Sequence, residues 1–99
     1  MNRYVLTRRA EQDLEEILEY VANESADSAQ IVLRDIREAL ERLADIPGIG
    51  HQRKDVPDDR YRFWLANRFI IAYFPKTKPL QIVRIVGAKR DFRTLFRSR

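Results

Sequence analysis

Cations dominate the chemistry that the second half of this 99-residue chain can offer. From His51 to Arg99 there are thirteen Lys or Arg residues against four acids, Asp55, Asp58, Asp59 and Asp91, a balance of +9. From Met1 to Gly50 six arginines face eleven acids, a balance of −5, so the whole chain stands at +4. Such a split suits a surface that meets an acidic partner, whether nucleic acid, ribosome or an acidic protein segment. The last cationic strip is Lys89, Arg90, Arg93, Arg97 and Arg99. Proton-transfer groups are scarce beside it, because residues 89–99 contain no His, Tyr or Glu and Asp91 is their one acid. The chain has no cysteine, which excludes disulfides, thiolate metal sites and a cysteine nucleophile. Its one histidine, His51, cannot build a metal cluster or a relay alone. No metal and no cofactor are expected.

Residues 1–99 are expected to form a single domain, since domains usually run to about 100–200 residues. Hydrophobic residues make up 44% of the chain and charged residues 34%, enough apolar material for one core. A chain this short buries only about 60–65% of the surface that its unfolded form exposes, so a partner could add materially to its stability. No apolar run approaches the roughly 20 residues of a membrane span. The N-terminus has no signal-peptide layout. A soluble cytoplasmic protein without membrane contact is the expectation.

The elements that must position these cations follow from periodicity. Tyr4-Val5-Leu6 reads as a strand and Thr7 as the N-cap of a helix. Ala10, Leu14, Ile17, Leu18 and Val21 form one helical face, with Glu11, Asp13, Glu15, Glu16 and Glu19 mostly outside. The stretch Asn23–Asp27 breaks that helix and offers Ser25 or Asp27 as the next cap. A second helix runs to about Asp45, turning Ala29, Val32, Leu33, Ile36, Leu40 and Leu43 inward. So short a link predicts an antiparallel hairpin. Ile46-Pro47-Gly48-Ile49-Gly50 ends it, because Pro cannot continue a helix.

After a polar stretch to Arg60 the period shortens towards two. Arg62–Leu65 reads as a strand, Ala66-Asn67 as a tight turn, and Arg68–Phe74 as a buried strand. Pro75–Pro79 is a second turn. Leu80–Val86 is the last strand, with Leu80, Ile82, Arg84 and Val86 expected on one face. Arg84 is odd among apolar neighbours and is expected to pair with an acid. The tail carries a short helix from Asp91 to Phe96, whose Phe92, Leu95 and Phe96 have the spacing of a docking face. The fold class is therefore α+β: a helical hairpin on a mostly antiparallel four-stranded sheet, β-α-α-β-β-β, with a short C-terminal helix or tail. Its uncovered sheet face and its tail are the expected places for function.

Tyr4-Val5-Leu6-Thr7 with Ala10, Asp13-Leu14, Ile17 and Tyr20 is followed along the chain by Leu43 with Pro47-Gly48-Ile49-Gly50. Arg68-Phe69-Ile70-Ile71-Ala72-Tyr73 comes next, and then Ile82-Val83-Arg84-Ile85-Val86-Gly87-Ala88-Lys89-Arg90-Asp91. Taken in order, these segments resemble the ParE/RelE superfamily of toxins from bacterial toxin–antitoxin pairs. The superfamily's fold, a helical hairpin on a mostly antiparallel sheet, agrees with the reading above. RelE-like members cut messenger RNA in the ribosome without metal, using cations and often a C-terminal Tyr or His. ParE-like members act on DNA gyrase and are not known to cleave anything.

Against the RelE-like pattern, Arg62, Arg68 and Arg90 stand where that site would use cations. Trp64 stands where the pattern has a second lysine, and Phe96 where it has its tyrosine. A phenyl ring neither gives nor takes a proton, so acid–base help of about 10²–10⁴-fold is absent there. The resemblance therefore implies a ParE-like toxin that inhibits DNA gyrase, with no catalytic residue and no metal. Arg62, Arg68, Lys89, Arg90, Arg93 and Arg97 are the candidate target contacts. Trp64, Phe92 and Phe96 are the candidate antitoxin contacts. The expected partner is a cognate antitoxin with an acidic C-terminal segment, in a hetero-oligomer that meets DNA only through the antitoxin. The alternatives are a RelE-like ribosome-dependent mRNA endonuclease and a non-toxic module that only binds antitoxin.

Overall fold

The computed structural model describes residues 3–97, so Arg99 of the cationic strip lies outside the described residues. Its elements are β1 (Tyr4–Leu6), α1 (Arg8–Glu24), α2 (Ala26–Asp45), β2 (Arg62–Ala66), β3 (Phe69–Phe74), β4 (Leu80–Gly87) and α3 (Phe92–Leu95). The sheet order is β1-β4-β3-β2. β1 runs parallel to β4, and the other two pairs are antiparallel. No helix among the described residues is long and apolar enough to cross a membrane.

Local signals set the helix ends. The Ala10 N–H donates to Thr7 Oγ1 at 3.2 Å, and the Thr7 hydroxyl itself donates to the Val83 carbonyl at 3.1 Å. That one side chain both starts α1 and ties it to β4. Ser25 alone separates the helices. Its extended backbone (φ −169°) ends α1, while its hydroxyl accepts from the Ser28 N–H and starts α2. With a one-residue link the helices can only fold back on each other, and both lie on one face of the sheet.

Beneath them is the main core, built from Ala10, Val21, Val32, Ile36, Leu40 and Leu43 against Phe69, Ile71, Tyr73, Ile82 and Ile85. Ala39 is also buried there, although the periodicity did not single it out. The strongest departure on α1 is Asp13, which was expected on the outer surface and is only 4% exposed. β1 pairs with β4 no further than Ile82, so the next stretch of that edge needs other partners. Asp13 supplies one by accepting from the Ile85 N–H at 3.0 Å.

The last strand also departs from simple alternation. Ala72 faces Arg84 and Tyr73 faces Ile82, which leaves Val83 without a partner on β3. This bulge reverses the faces beyond it, because one inserted residue shifts a period of two by half a cycle. Ile85 therefore joins Leu80 and Ile82 under the helices, while Val86 points to the opposite side. The β2–β3 turn is displaced by one residue to Asn67-Arg68, with Asn67 at φ 58°. Asn tolerates that left-handed backbone better than most residues.

The other sheet face is not bare. Val56, Phe63, Ala72, Val86, Phe92 and Phe96 form a second apolar cluster. The stretch after Gly50 and the C-terminal helix cover it as a partial third layer.

Tyr73 joins the layers at the base of the hairpin. Its buried hydroxyl donates to the Pro47 carbonyl at 2.6 Å and accepts from the Gly50 N–H at 2.9 Å. Burial pushes this phenol above its ordinary pKa of 10.0. A methyl group on Gly50 would collide with that hydroxyl and come within 2.8 Å of the ring. Tyr73 is fully buried, and two hydrogen bonds hold its hydroxyl in place. Gly50→Ala is therefore expected to cost about 1–3 kcal/mol, the usual range for overpacking. Urea unfolding followed by far-UV circular dichroism measures it, and an unchanged midpoint would show that the contact yields.

Candidate target-binding surface

Three of the candidate cations meet at one end of the sheet. Gly87 closes β4, the Ala88 N–H donates to the Arg68 carbonyl at 3.1 Å, and the Arg90 N–H to the Gly87 carbonyl at 3.1 Å. Those bonds hold the turn bearing Lys89 and Arg90 against the hairpin loop bearing Arg68. All three residues are exposed. Arg68 pairs with Glu24 at the end of α1 at 3.3 Å, whereas Lys89 and Arg90 make no ion pair among the described residues. Arg93 and Arg97 continue the strip on exposed positions of the tail.

Arg62 is not part of this group. It opens β2 opposite Tyr73, while Arg68 follows the far end of that strand. Four residues at a rise of about 3.3 Å put roughly 13 Å between the ends of β2 alone. The guanidinium of Arg62 donates instead to the Gly50 carbonyl at 3.2 Å. So the three cations of the RelE-like pattern do not converge on one phosphate. The spacing of six residues spans β2 and the start of its turn, so the two arginines lie at opposite ends of that strand.

The tail is anchored by its aromatics. Asp91 caps α3, accepting from the Thr94 N–H at 3.4 Å and from its hydroxyl at 2.7 Å. The bond from the Thr94 hydroxyl is the chief reason that the Asp91 carboxyl lies below its ordinary 3.8. Phe92 is 1% exposed and Phe96 7% exposed. Their rings stack at 5.9 Å and meet Phe63 edge-on at 6.0 and 5.4 Å. The Arg53 guanidinium lies 3.9 Å from the centre of the Phe92 ring. Asp55 holds it there through two bonds of 2.9 Å each. The bond from Arg53 is also what chiefly holds the Asp55 carboxyl below 3.8. Both candidate antitoxin contacts on the tail are thus inside this chain's own core, with no free face in this conformation.

Trp64 is half-buried on β2 opposite Ile71, packed against the main core. The His51 ring stacks on it at 5.9 Å. Backbone bonds in both directions between His51 and Phe63, each 2.8 Å, fix that histidine to the edge of β2. Trp64 belongs to the helix-side core and Phe96 to the opposite cluster, so His51 cannot stand in for a tail residue.

One residue near the tail escaped sequence reasoning. Tyr61 lies 5.0 Å from Phe96 and 5.0 Å from Phe74, ring to ring. It is the titratable ring nearest Phe96, brought there by a loop thirty-five residues earlier in the chain. Burial raises its phenol above 10.0, with Asp58 adding to the shift, so it stays protonated at neutral pH and is a poor base. No group of three His, Cys, Asp or Glu residues that could hold a metal occurs among the described residues.

Comparison with known proteins places this architecture. The family model described as the ParE toxin of the type II toxin–antitoxin system parDE matches residues 4–92. Residues beyond Phe92, including Phe96, fall outside that match. No curated protein matches the chain. Among solved structures, a chain of the chromosomal ParDE toxin–antitoxin system from P. aeruginosa is 26% identical, with a TM-score of 0.71. That alignment covers 90% of this chain and 98% of the other. A strand, a helical hairpin and a three-stranded meander ending in a cationic turn, matched over nearly the whole chain, mark it as a member of the ParE toxin family of type II toxin–antitoxin systems.

Proposed function

We propose that this chain is a toxin that binds DNA gyrase and inhibits it without catalysing a reaction, and that a cognate antitoxin neutralises it. The observation that carries this reading is the composition of the cationic end of the sheet. Arg68, Lys89 and Arg90 meet there, and the segments that carry them, residues 66–70 and 86–97, contain no histidine, tyrosine or cysteine. Cations alone bind an acidic surface and stabilise charge. Cleaving RNA by attack of the ribose 2′-OH also calls for proton transfer, and Phe96 supports no such step. The separation of Arg62 from Arg68 and Arg90 weighs against the endonuclease alternative for the same site. A cytoplasmic location follows from this reading, since gyrase works on the chromosome.

Supercoiling of relaxed plasmid by purified gyrase tests the proposal. Wild-type protein is expected to inhibit it. The double substitution Arg90→Glu and Arg93→Glu should weaken inhibition by at least tenfold while leaving the thermal midpoint within a few degrees, because both side chains are exposed. Full supercoiling at a large molar excess of folded wild-type protein would refute the target. Growth of cells expressing it without antitoxin separates a toxin from an inert antitoxin-binding module.

A further inference from the structure

Far from the cationic turn, two clefts flank the turn between β3 and β4. The first, about 550 Å³, lies at the start of β2 and is lined by Arg60, Arg62 and Lys76, with Asp59, Phe74 and Gln81 completing its wall. The second, about 510 Å³, lies between the end of α2 and the turn, and is lined by Ala44, Pro47, Pro79 and Leu80 with Arg3 and Lys78 at its edge. Pro75 and Thr77 belong to both, so the two clefts adjoin at the turn, a groove in two parts. The groove is preformed. The Thr77 hydroxyl donates to the Phe74 carbonyl at 3.1 Å and accepts from the Gln81 N–H at 2.8 Å, bracing the turn from within.

The charges in the first cleft are unevenly satisfied. Arg60 is held by Asp58 at 2.6 Å. Arg62 is half-buried, uses one guanidinium nitrogen on the Gly50 carbonyl, and makes no ion pair among the described residues. Lys76 makes none either. A half-buried guanidinium presents further N–H donors in a fixed fork that matches a carboxylate. We infer that this groove seats an extended acidic segment of the antitoxin, with a carboxylate on Arg62 and Lys76 and a neighbouring aliphatic side chain against the proline-lined half. The inference rests on the antitoxin reading above and gives it a location.

A polypeptide fits better than a nucleic acid strand. Bases bind through flat aromatic platforms, whereas Phe74, the one aromatic lining either cleft, has the Arg60 guanidinium 5.5 Å over its ring, and the second cleft offers prolines, an alanine and a leucine beside Arg3 and Lys78.

The test measures dissociation of the complex between the full chain and its cognate antitoxin by biolayer interferometry. Arg62→Gln and Lys76→Glu are each expected to weaken the complex about tenfold or more, because a charge-assisted hydrogen bond contributes about 1.5–3 kcal/mol and 1.4 kcal/mol is tenfold. Arg34→Gln, on the exposed flank of α2, should stay within twofold of wild type. Lys76 is exposed, so Lys76→Glu keeps the inference testable even where Arg62→Gln disturbs the fold. A complex with wild-type affinity in both variants would overturn the groove while leaving the antitoxin reading intact. Tight binding of a twelve-nucleotide single strand that depends on Arg62 would overturn it in favour of nucleic acid. No complex with the wild-type chain at all would overturn both.

Discussion

Asp13→Ala is expected to unfold this protein more readily than any single surface change, at a cost of about 3–5 kcal/mol, the range for breaking one side of a buried ion pair. Asp13 accepts from Arg84 Nε at 2.8 Å and Nη2 at 3.2 Å while also holding the Ile85 N–H. Arg9 is a third partner, with a longer contact at 3.5 Å from its exposed position one turn earlier on α1. The Arg84 side chain is only 13% exposed, so removing its partner leaves a nearly buried cation and an orphaned backbone donor together. For a domain of this size the loss corresponds to a fall in Tm of roughly 15–30 °C. Replacing both members by apolar residues, as in Asp13→Leu with Arg84→Met, should recover part of it, since the desolvation of both charges is then removed. Thermal unfolding of the three proteins measures this. A single variant within 1 kcal/mol of wild type would mean that the bond to Ile85 is easily replaced by water.

Phe92→Ala is the second large effect, again about 3–5 kcal/mol by the usual cost of deleting a buried aromatic ring. Phe92 is the centre of the second cluster, touching Phe63 and Phe96 by its ring edges and faces and covered by Arg53. Its loss should do more than lower stability. The tail has no strand pairing, so with its anchor gone residues 91–97 should exchange their amide protons freely while the main core stays protected. Hydrogen exchange therefore separates release of the tail from general loosening. Arg53→Ala should reproduce the direction at smaller size, because a cation over a ring contributes about 0.5–2 kcal/mol. Continued protection of the Leu95 and Phe96 amides in Phe92→Ala would show that the tail is held by something else. Freed of its anchor, the arginine strip would also lose its fixed spacing, and gyrase inhibition should fall with it.

The parts of this structure that were legible in the sequence are those decided within a few residues. Thr7 and Ser25 cap their helices because a hydroxyl reaches amides three positions on. Asp91 caps α3 the same way, and the spacing of Phe92 and Phe96 foretold that the tail would dock. The order of elements followed from the change of period near Arg62. What escaped was decided across the chain. Asp13 looked like one more acid on a polar helix face until the short β1 left the Ile85 N–H needing a partner. The bulge at Val83 reversed the expected faces of Ile85 and Val86, and no local residue announces it. The outer face of the sheet looked open because a polar loop gave no sign that Val56 and Tyr61 would fold over it. Arg62 was grouped with Arg68 and Arg90 by analogy of sequence position, and only the strand geometry separates them. The match to Tyr61 beside Phe96 lay beyond any motif.

Stoichiometry tests the central claim, that this toxin acts by holding a macromolecule, most directly. An inhibitor that works by occupancy acts only near molar parity with its target, whereas a nuclease turns over and acts at a small fraction of it. Purified protein titrated into a gyrase supercoiling reaction is expected to reach full inhibition only at or above one toxin per gyrase subunit. Translating ribosomes given the same protein should keep their messages whole by primer extension. Discrete cuts in those messages at a toxin-to-ribosome ratio of about one to a hundred, lost on Tyr61→Phe, would contradict the claim and assign the missing proton donor.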